Sequence, residues 1–150
     1  MSEPREPAPA QLVFSSGGRW FGVPAGEVLE VAVWEQLTRV PGAPAHVLGV
    51  FPLRGEVFPV IDPGILRGDT PEPGHRVVCL RLAGGTLALT AGQLGGVSEL
   101  ESLPAPSEES PVGRCFLGPV ELQRHSDVLL VDTRALFEFL SRGTHPGAGS

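Results

Sequence analysis

The chain has 150 residues, one domain's worth, which is enough to bury an apolar core without disulfides or a metal. Its net charge of −6 and pI near 5.1 exclude the basic surface that binds nucleic acid or anionic membranes. All 11 basic residues are arginine, so lysine chemistry such as a P-loop or a Schiff base is excluded.

Residues 1–10, MSEPREPAPA, lack both an apolar period and the apolar core of a signal peptide, so a tail on a cytoplasmic protein is expected. Gln11–Ser15, Arg19–Val23 and Val28–Trp34 read as strands rich in Val, Phe, Leu and Trp, parted by Gly-rich and Pro-Ala-Gly turns. Along Val28-Leu29-Glu30-Val31, strand alternation puts Val28 and Glu30 on one face and Leu29 and Val31 on the other. In Pro41–Leu48 two prolines bracket a turn that can start one short helical turn.

Val50–Leu53 and Glu56–Ile61 then form a hairpin around Arg54-Gly55. Gly55 supplies the positive φ that lets the chain reverse, which leaves Arg54 at the corner. Asp62 followed by Pro63 is a helix N-cap and first-turn pair. After a polar break at Leu66–Gly74, Arg76–Leu82 and Thr86–Ala91 pair across Ala83-Gly84-Gly85. Leu94–Leu100, a second polar break at Leu103–Gly113, and then Arg114–Leu117, Val120–Arg124 and Asp127–Val131 complete a series of roughly ten strands. One well-patterned helix runs from the cap Asp132-Thr133 through Leu136 and Leu140 and stops before Gly143, and residues 143–150 form a second tail. The folded domain is expected over 11–142, all-β with a short C-terminal helix. Turns at such regular spacing favour barrels or sandwiches over a parallel α/β sheet, which needs long helices between its strands.

Residues able to do chemistry are present but scattered. His46, His75, His125 and His145 lie in turns and a tail, without the spacing that puts two imidazoles on one helix face, so no metal or other cofactor is expected. Cys79 and Cys115 sit in apolar runs and read as small core residues. A small hydrolase that uses Asp62 with a histidine is the competing reading, although an aspartate before proline at a strand end is far more often a cap. The paired glycines lie between strands and not before a long helix, which denies them a phosphate-cradling role. A binding module remains.

The run VPGAPAHVLGVFPLRGEVFPVID (residues 40–62) resembles the signature of the CheW-like family, scaffold proteins that join chemoreceptors to a histidine kinase. LVFSSGGRWFGVPAGEVLEV (12–31), RVVCLRLAGGTLALTAGQLGGVSEL (76–100) and VLLVDTRALFEFL (128–140) are similar to its opening strands, central strands and closing helix, in the family's order. The resemblance implies two interlocked five-stranded SH3-like barrels on a shared apolar core. It also implies a non-enzymatic, stand-alone bacterial adaptor that binds the cytoplasmic tip of a methyl-accepting chemoreceptor and the regulatory domain of a CheA-type kinase. Val28, Glu30, Arg54 and Gly55 match the family's partner-contact positions. For Arg54 the alternative is an arginine that bonds turn carbonyls, and for Glu30 a solvated strand carboxylate.

Departures from the family's pattern fall in elements that form or brace partner surfaces. Pro52 stands where the family usually has asparagine, and since proline cannot donate to a ladder, position 52 should lie on an edge, at an unpaired site or at a bulge. Thr90-Ala91-Gly92 replaces two apolar residues and an aspartate, and Pro63-Gly64 replaces Leu-Arg. These changes imply an accessory adaptor that keeps its receptor contact while its kinase docking is weakened.

Overall fold

The computed structural model describes residues 8–34, 37–69 and 75–143. His145 and most of both expected tails lie outside the described residues. Among the described residues ten strands form, β1 (Gln11–Ser16), β2 (Arg19–Pro24), β3 (Val28–Val33), β4 (Val47–Leu53), β5 (Glu56–Ile61), β6 (Arg76–Leu82), β7 (Gly85–Ala91), β8 (Leu94–Ser98), β9 (Phe116–Leu122) and β10 (His125–Val131). Helix α1 (Pro63–Arg67) follows β5, and helix α2 (Thr133–Gly143) follows β10.

The strands make two five-stranded sheets, ordered β8-β1-β2-β10-β9 and β3-β6-β7-β5-β4. The chain lays down two strands of the first sheet, all five of the second, and then returns, so the two SH3-like units interlock. Neighbours pair antiparallel except β2 with β10 and β5 with β7, which run parallel. Each sheet is open in its hydrogen-bond order but curled.

The near-continuous apolar runs of β6, β7 and β10 follow from burial on both faces. Val77, Cys79 and Ala88 pack inside the second sheet, while Val78, Leu80, Leu87 and Leu89 point the other way into the shared core. In β10, Val128 and Leu130 fill the first sheet while Leu129 and Val131 join that same shared core, with Phe14, Phe21, Phe116 and Leu136. Two small interiors and one interface between them therefore hold the fold.

The β4-β5-α1 and β9-β10-α2 segments repeat one plan. Each begins with an apolar pair and a positive-φ glycine, Gly49 (φ 156°) or Gly118 (φ 108°). Each turns over two residues whose first is left-handed, Arg54 (φ 53°) or Gln123 (φ 45°). Each ends on an aspartate N-cap: Asp62 Oδ1 accepts from Ile65 N and Asp132 Oδ1 from Ala135 N, both at 3.0 Å. Leu66 and Leu136 then enter the shared core. Few residues are identical between the copies, and Asp127 (φ 54°) is extra in the second, so the sequence hides the repeat.

Two local expectations need correction. The strands expected at Arg114–Leu117 and Val120–Arg124 are one strand, β9, which passes through a cis Gly118-Pro119 peptide, while Gly113–Cys115 forms a 3-10 turn. Pro119 is tolerated because β9 is an edge strand. The helical turn expected in Pro41–Leu48 is absent. Single turn bonds form instead, from Ala43 N to Val40 O and from Val47 N to Pro44 O, and β4 begins at Val47. Gly42 at φ 79° lies outside the helical region, and β4 takes over at Val47, so no helix propagates.

Candidate functional site

Arg54 and Gly55 are the two central residues of the β4–β5 hairpin, both at positive φ (53° and 80°), as a type I′ turn requires. That geometry matches the twist of the flanking strands and projects the arginine from the corner. Arg54 Nη2 donates to Glu30 Oε1 at 2.9 Å. Glu30 lies on β3, the opposite edge of the same sheet, facing Cys79 of β6. In a flat sheet, strands at about 4.8 Å spacing would hold the two groups roughly 17 Å apart or more, beyond the span of both side chains. The pair thus bridges the seam where the curled sheet nearly closes. It stays accessible, with Arg54 62% and Glu30 35% exposed.

The simple alternation expected through 28–31 is interrupted by a register shift between Val28 and Glu30. Val28 and Val31 both pack on the shared core, and Leu29 and Ala32 pack on the interior of the second sheet. The structure therefore brings Glu30, Arg54 and Gly55 to one corner, while Val28 is half-buried beside the junction of the two sheets.

A second ion pair at this sheet's hairpin tips escapes the sequence reading. Arg81 of β6 holds Glu56 of β5 with two bonds, Nη1 to Oε1 at 3.1 Å and Nη2 to Oε2 at 2.5 Å. The Arg81 hydrogen bond, aided by its charge, holds the Glu56 carboxyl below the usual glutamate range. The available signal was weak: an arginine ending the apolar run Val77–Leu80, and a glutamate directly after the turn. On the same hairpin, Pro52 faces Val57, which is 57% exposed. The outcome is an exposed apolar pair on a hairpin whose turn and tips carry both charge signs.

Pro52 lies on edge strand β4, as its missing N–H demands. The Val50 N–H and C=O, two residues earlier, both bond Thr38, so this edge is partly covered. Thr90, Ala91 and Gly92 lie elsewhere, at the joint between the sheets. Thr90 is buried with its hydroxyl 3.5 Å from that of Ser16, Ala91 belongs to the shared core, and Gly92 N donates to Ser15 O. Pro52 is exposed on the surface, whereas Thr90 and Ala91 are buried and can act on a surface only by bracing it.

Among the described residues, the histidines and Asp62 do not assemble into a reactive group. Asp62 is buried, its carboxylate caps α1, and its backbone N–H donates to the His46 carbonyl at 2.9 Å. The His46 ring lies against Phe139, and burial pushes its imidazole below the ordinary range. His125 packs on Trp20 with ring centroids 4.1 Å apart, and His75 is exposed before β6. Burial pushes the thiols of Cys79 and Cys115 up to about 11, so neither supplies a thiolate at neutral pH. Among the described residues, no three His, Cys, Asp or Glu side chains are grouped to hold a metal, and no helix is long and apolar enough to cross a membrane.

The family model for the CheW-like domain matches residues 11–140. The chemotaxis protein CheW of Rhizobium meliloti (strain 1021) is 28% identical over 132 residues, covering 84% of this chain and 85% of the relative. The probable chemotaxis protein CheW of Rhizobium etli is 30% identical over the same length and coverage. Among solved structures, the scaffolding protein TtCheW from Thermoanaerobacter tengcongensis superposes with a TM-score of 0.67 at 21% identity, over 85% of this chain and 90% of that one, which is a likeness of fold.

Proposed function

Because this chain belongs to the CheW-like domain family, we propose that it is a scaffold of chemotaxis signalling, acting by binding and not by catalysis. In this reading it docks on the cytoplasmic tip of a methyl-accepting chemoreceptor and couples it to the regulatory domain of a CheA-type histidine kinase, at the cytoplasmic face of a receptor array. The observation that carries the reading is the Arg54–Glu30 pair. Two family-matched positions 24 residues apart meet on an accessible corner whose charges contribute little to folding, which frees them for recognition. Calorimetric titration with a receptor-tip fragment, and separately with the kinase regulatory domain, tests it. Binding of neither would end the adaptor reading.

A second reading, an accessory adaptor with weakened kinase docking, is favoured by Pro52. It removes a backbone donor from an exposed edge next to Val57, where a docking chain could otherwise bond the strand. The same pair of titrations separates the two readings, since the accessory form binds the receptor tip but binds the kinase domain poorly.

A further inference from the structure

Four charged side chains rim one end of the second sheet where it curls on itself, and their signs alternate. In strand order, Glu30 belongs to β3, Arg81 to β6, Glu56 to β5 and Arg54 to the turn between β5 and β4. Between β6 and β5, β7 sets the uncharged Thr86 opposite Arg81, and the Thr86 hydroxyl donates to Val57 O at 2.8 Å. Strand register puts the set on one face. Glu30 pairs with Cys79, Arg81 follows Cys79 by two residues, and Glu56 pairs with Leu53, so these three side chains leave their strands on the face that carries the interior residues Cys79 and Phe58. Arg54 closes the circuit by reaching back to Glu30.

Two steps around this circuit are ion pairs, Arg54 to Glu30 at 2.9 Å and Arg81 to Glu56 at 3.1 and 2.5 Å. Arg81 and Glu56 are 51% and 42% exposed, so the second pair is as accessible as the first and contributes as little to folding. Among the described residues, Arg54 uses a single nitrogen in the ring and Glu30 a single oxygen, which leaves both able to bond a partner as well. A partner that approaches this end meets positive and negative groups in turn. A surface of one sign would be repelled at every second group.

We propose that Glu56 and Arg81 are specificity residues of the receptor contact, and that the receptor-tip segment docked on the ring presents acidic and basic side chains side by side. The proposal rests on the reading of the Arg54 corner as the receptor surface and extends that surface from one ion pair to two. An acid of the partner faces the arginines and a base faces the glutamates, so the internal pairs become parts of a larger network without having to break.

The test is calorimetric titration of a receptor-tip fragment against the full chain and four variants: Glu56→Arg, Arg81→Glu, the two combined, and Arg54→Glu. Circular dichroism and urea unfolding report whether each is folded, and Glu56→Gln, which removes charge but keeps shape, stands in if a reversal disturbs the fold. Each single reversal is expected to weaken binding by about tenfold or more, because it sets like charge against one member of the partner's pair. The combined variant keeps both the internal ion pair and the net charge but inverts the order of signs, so it should bind no better than the single reversals. Recovery of the parent's affinity in the combined variant would give the pair a structural role and overturn the proposal. Tighter binding by either single reversal would overturn it too, since a partner of one sign gains from one of them. If Arg54→Glu weakens binding while the Glu56 and Arg81 variants match the parent, the corner still docks the receptor and only the extension fails. Absence of binding by the parent itself would overturn both.

Discussion

Arg54 and Glu30 stand at opposite ends of one sheet's hydrogen-bond order and touch at 2.9 Å, so an accessible ion pair of the candidate site also marks where the sheet curls back on itself. Exposure and solvent screening keep its contribution to folding within ~0–1 kcal/mol. Arg54→Glu is accordingly expected to leave the circular dichroism spectrum intact and the stability within about 1 kcal/mol of the parent. Receptor-tip affinity should fall by well over that amount. Equal affinity of the two proteins for a receptor-tip fragment would return Arg54 to a surface bystander.

The two aspartate caps offer a prediction that also tests the hydrolase alternative. Each of Asp62→Ala and Asp132→Ala removes one carboxylate acceptor at a helix start and should cost ~1 kcal/mol, within the usual 0.5–2 kcal/mol of a lost cap. Because the sites lie in different units of the repeat, the costs should add in the double variant. Urea unfolding measures all three. A cost near zero for Asp62→Ala, combined with loss of some hydrolytic activity, would mean that its carboxylate serves chemistry and not the helix.

Much of the fold was legible because each element announced itself locally. Gly55 marked the hairpin, Asp62-Pro63 marked α1, and the apolar period through Leu136 and Leu140 marked α2. Pro52 was legible for the same reason, since a missing N–H limits where a strand can put it. What failed depended on partners distant in sequence. The bulge at Val28–Glu30 is set by pairing with β6, so local alternation misassigned the Val28 face. The Glu56–Arg81 pair joins residues 25 apart and carries no local mark. Likewise, whether Thr90 and Ala91 form a surface or brace one depends on β7 coming back against β1, 74 residues earlier at the Ser16–Thr90 contact, which buries them.

The thiols give a pH prediction. Burial comes first, then the charge of Glu30 for Cys79 and of Asp132 for Cys115, in raising both to about 11 from an ordinary value of 9.0. Between these values the unfolded chain loses thiol protons that the folded chain keeps, so folded stability is fully present below pH 9 and falls as pH rises toward 11. Native protein at pH 8 should react slowly with a thiol-specific disulfide reagent, and urea-unfolded protein quickly. Fast reaction of either cysteine in the native state, at the rate of a free thiol, would contradict the buried assignment.

The last prediction concerns Pro52, a divergent position exposed on the β4 edge, where a partner can reach it while the fold stays as it is. Pro52→Asn restores a backbone donor on the β4 edge and adds a side-chain amide beside the Arg54 turn. If weakened kinase docking stems from that edge, the change should strengthen binding to the kinase regulatory domain by ~0.5–1.5 kcal/mol, the worth of one hydrogen bond, or about two- to tenfold. Receptor-tip binding should stay level, because Glu30, Arg54 and Gly55 are untouched. Thr90 and Ala91 offer no such gain, since enlarging either one presses on the buried joint between the sheets. Parallel calorimetry on the parent and Pro52→Asn decides the matter. Tight kinase binding by the parent, unimproved by asparagine, would leave an ordinary coupling scaffold in which Pro52 is merely a tolerated edge residue.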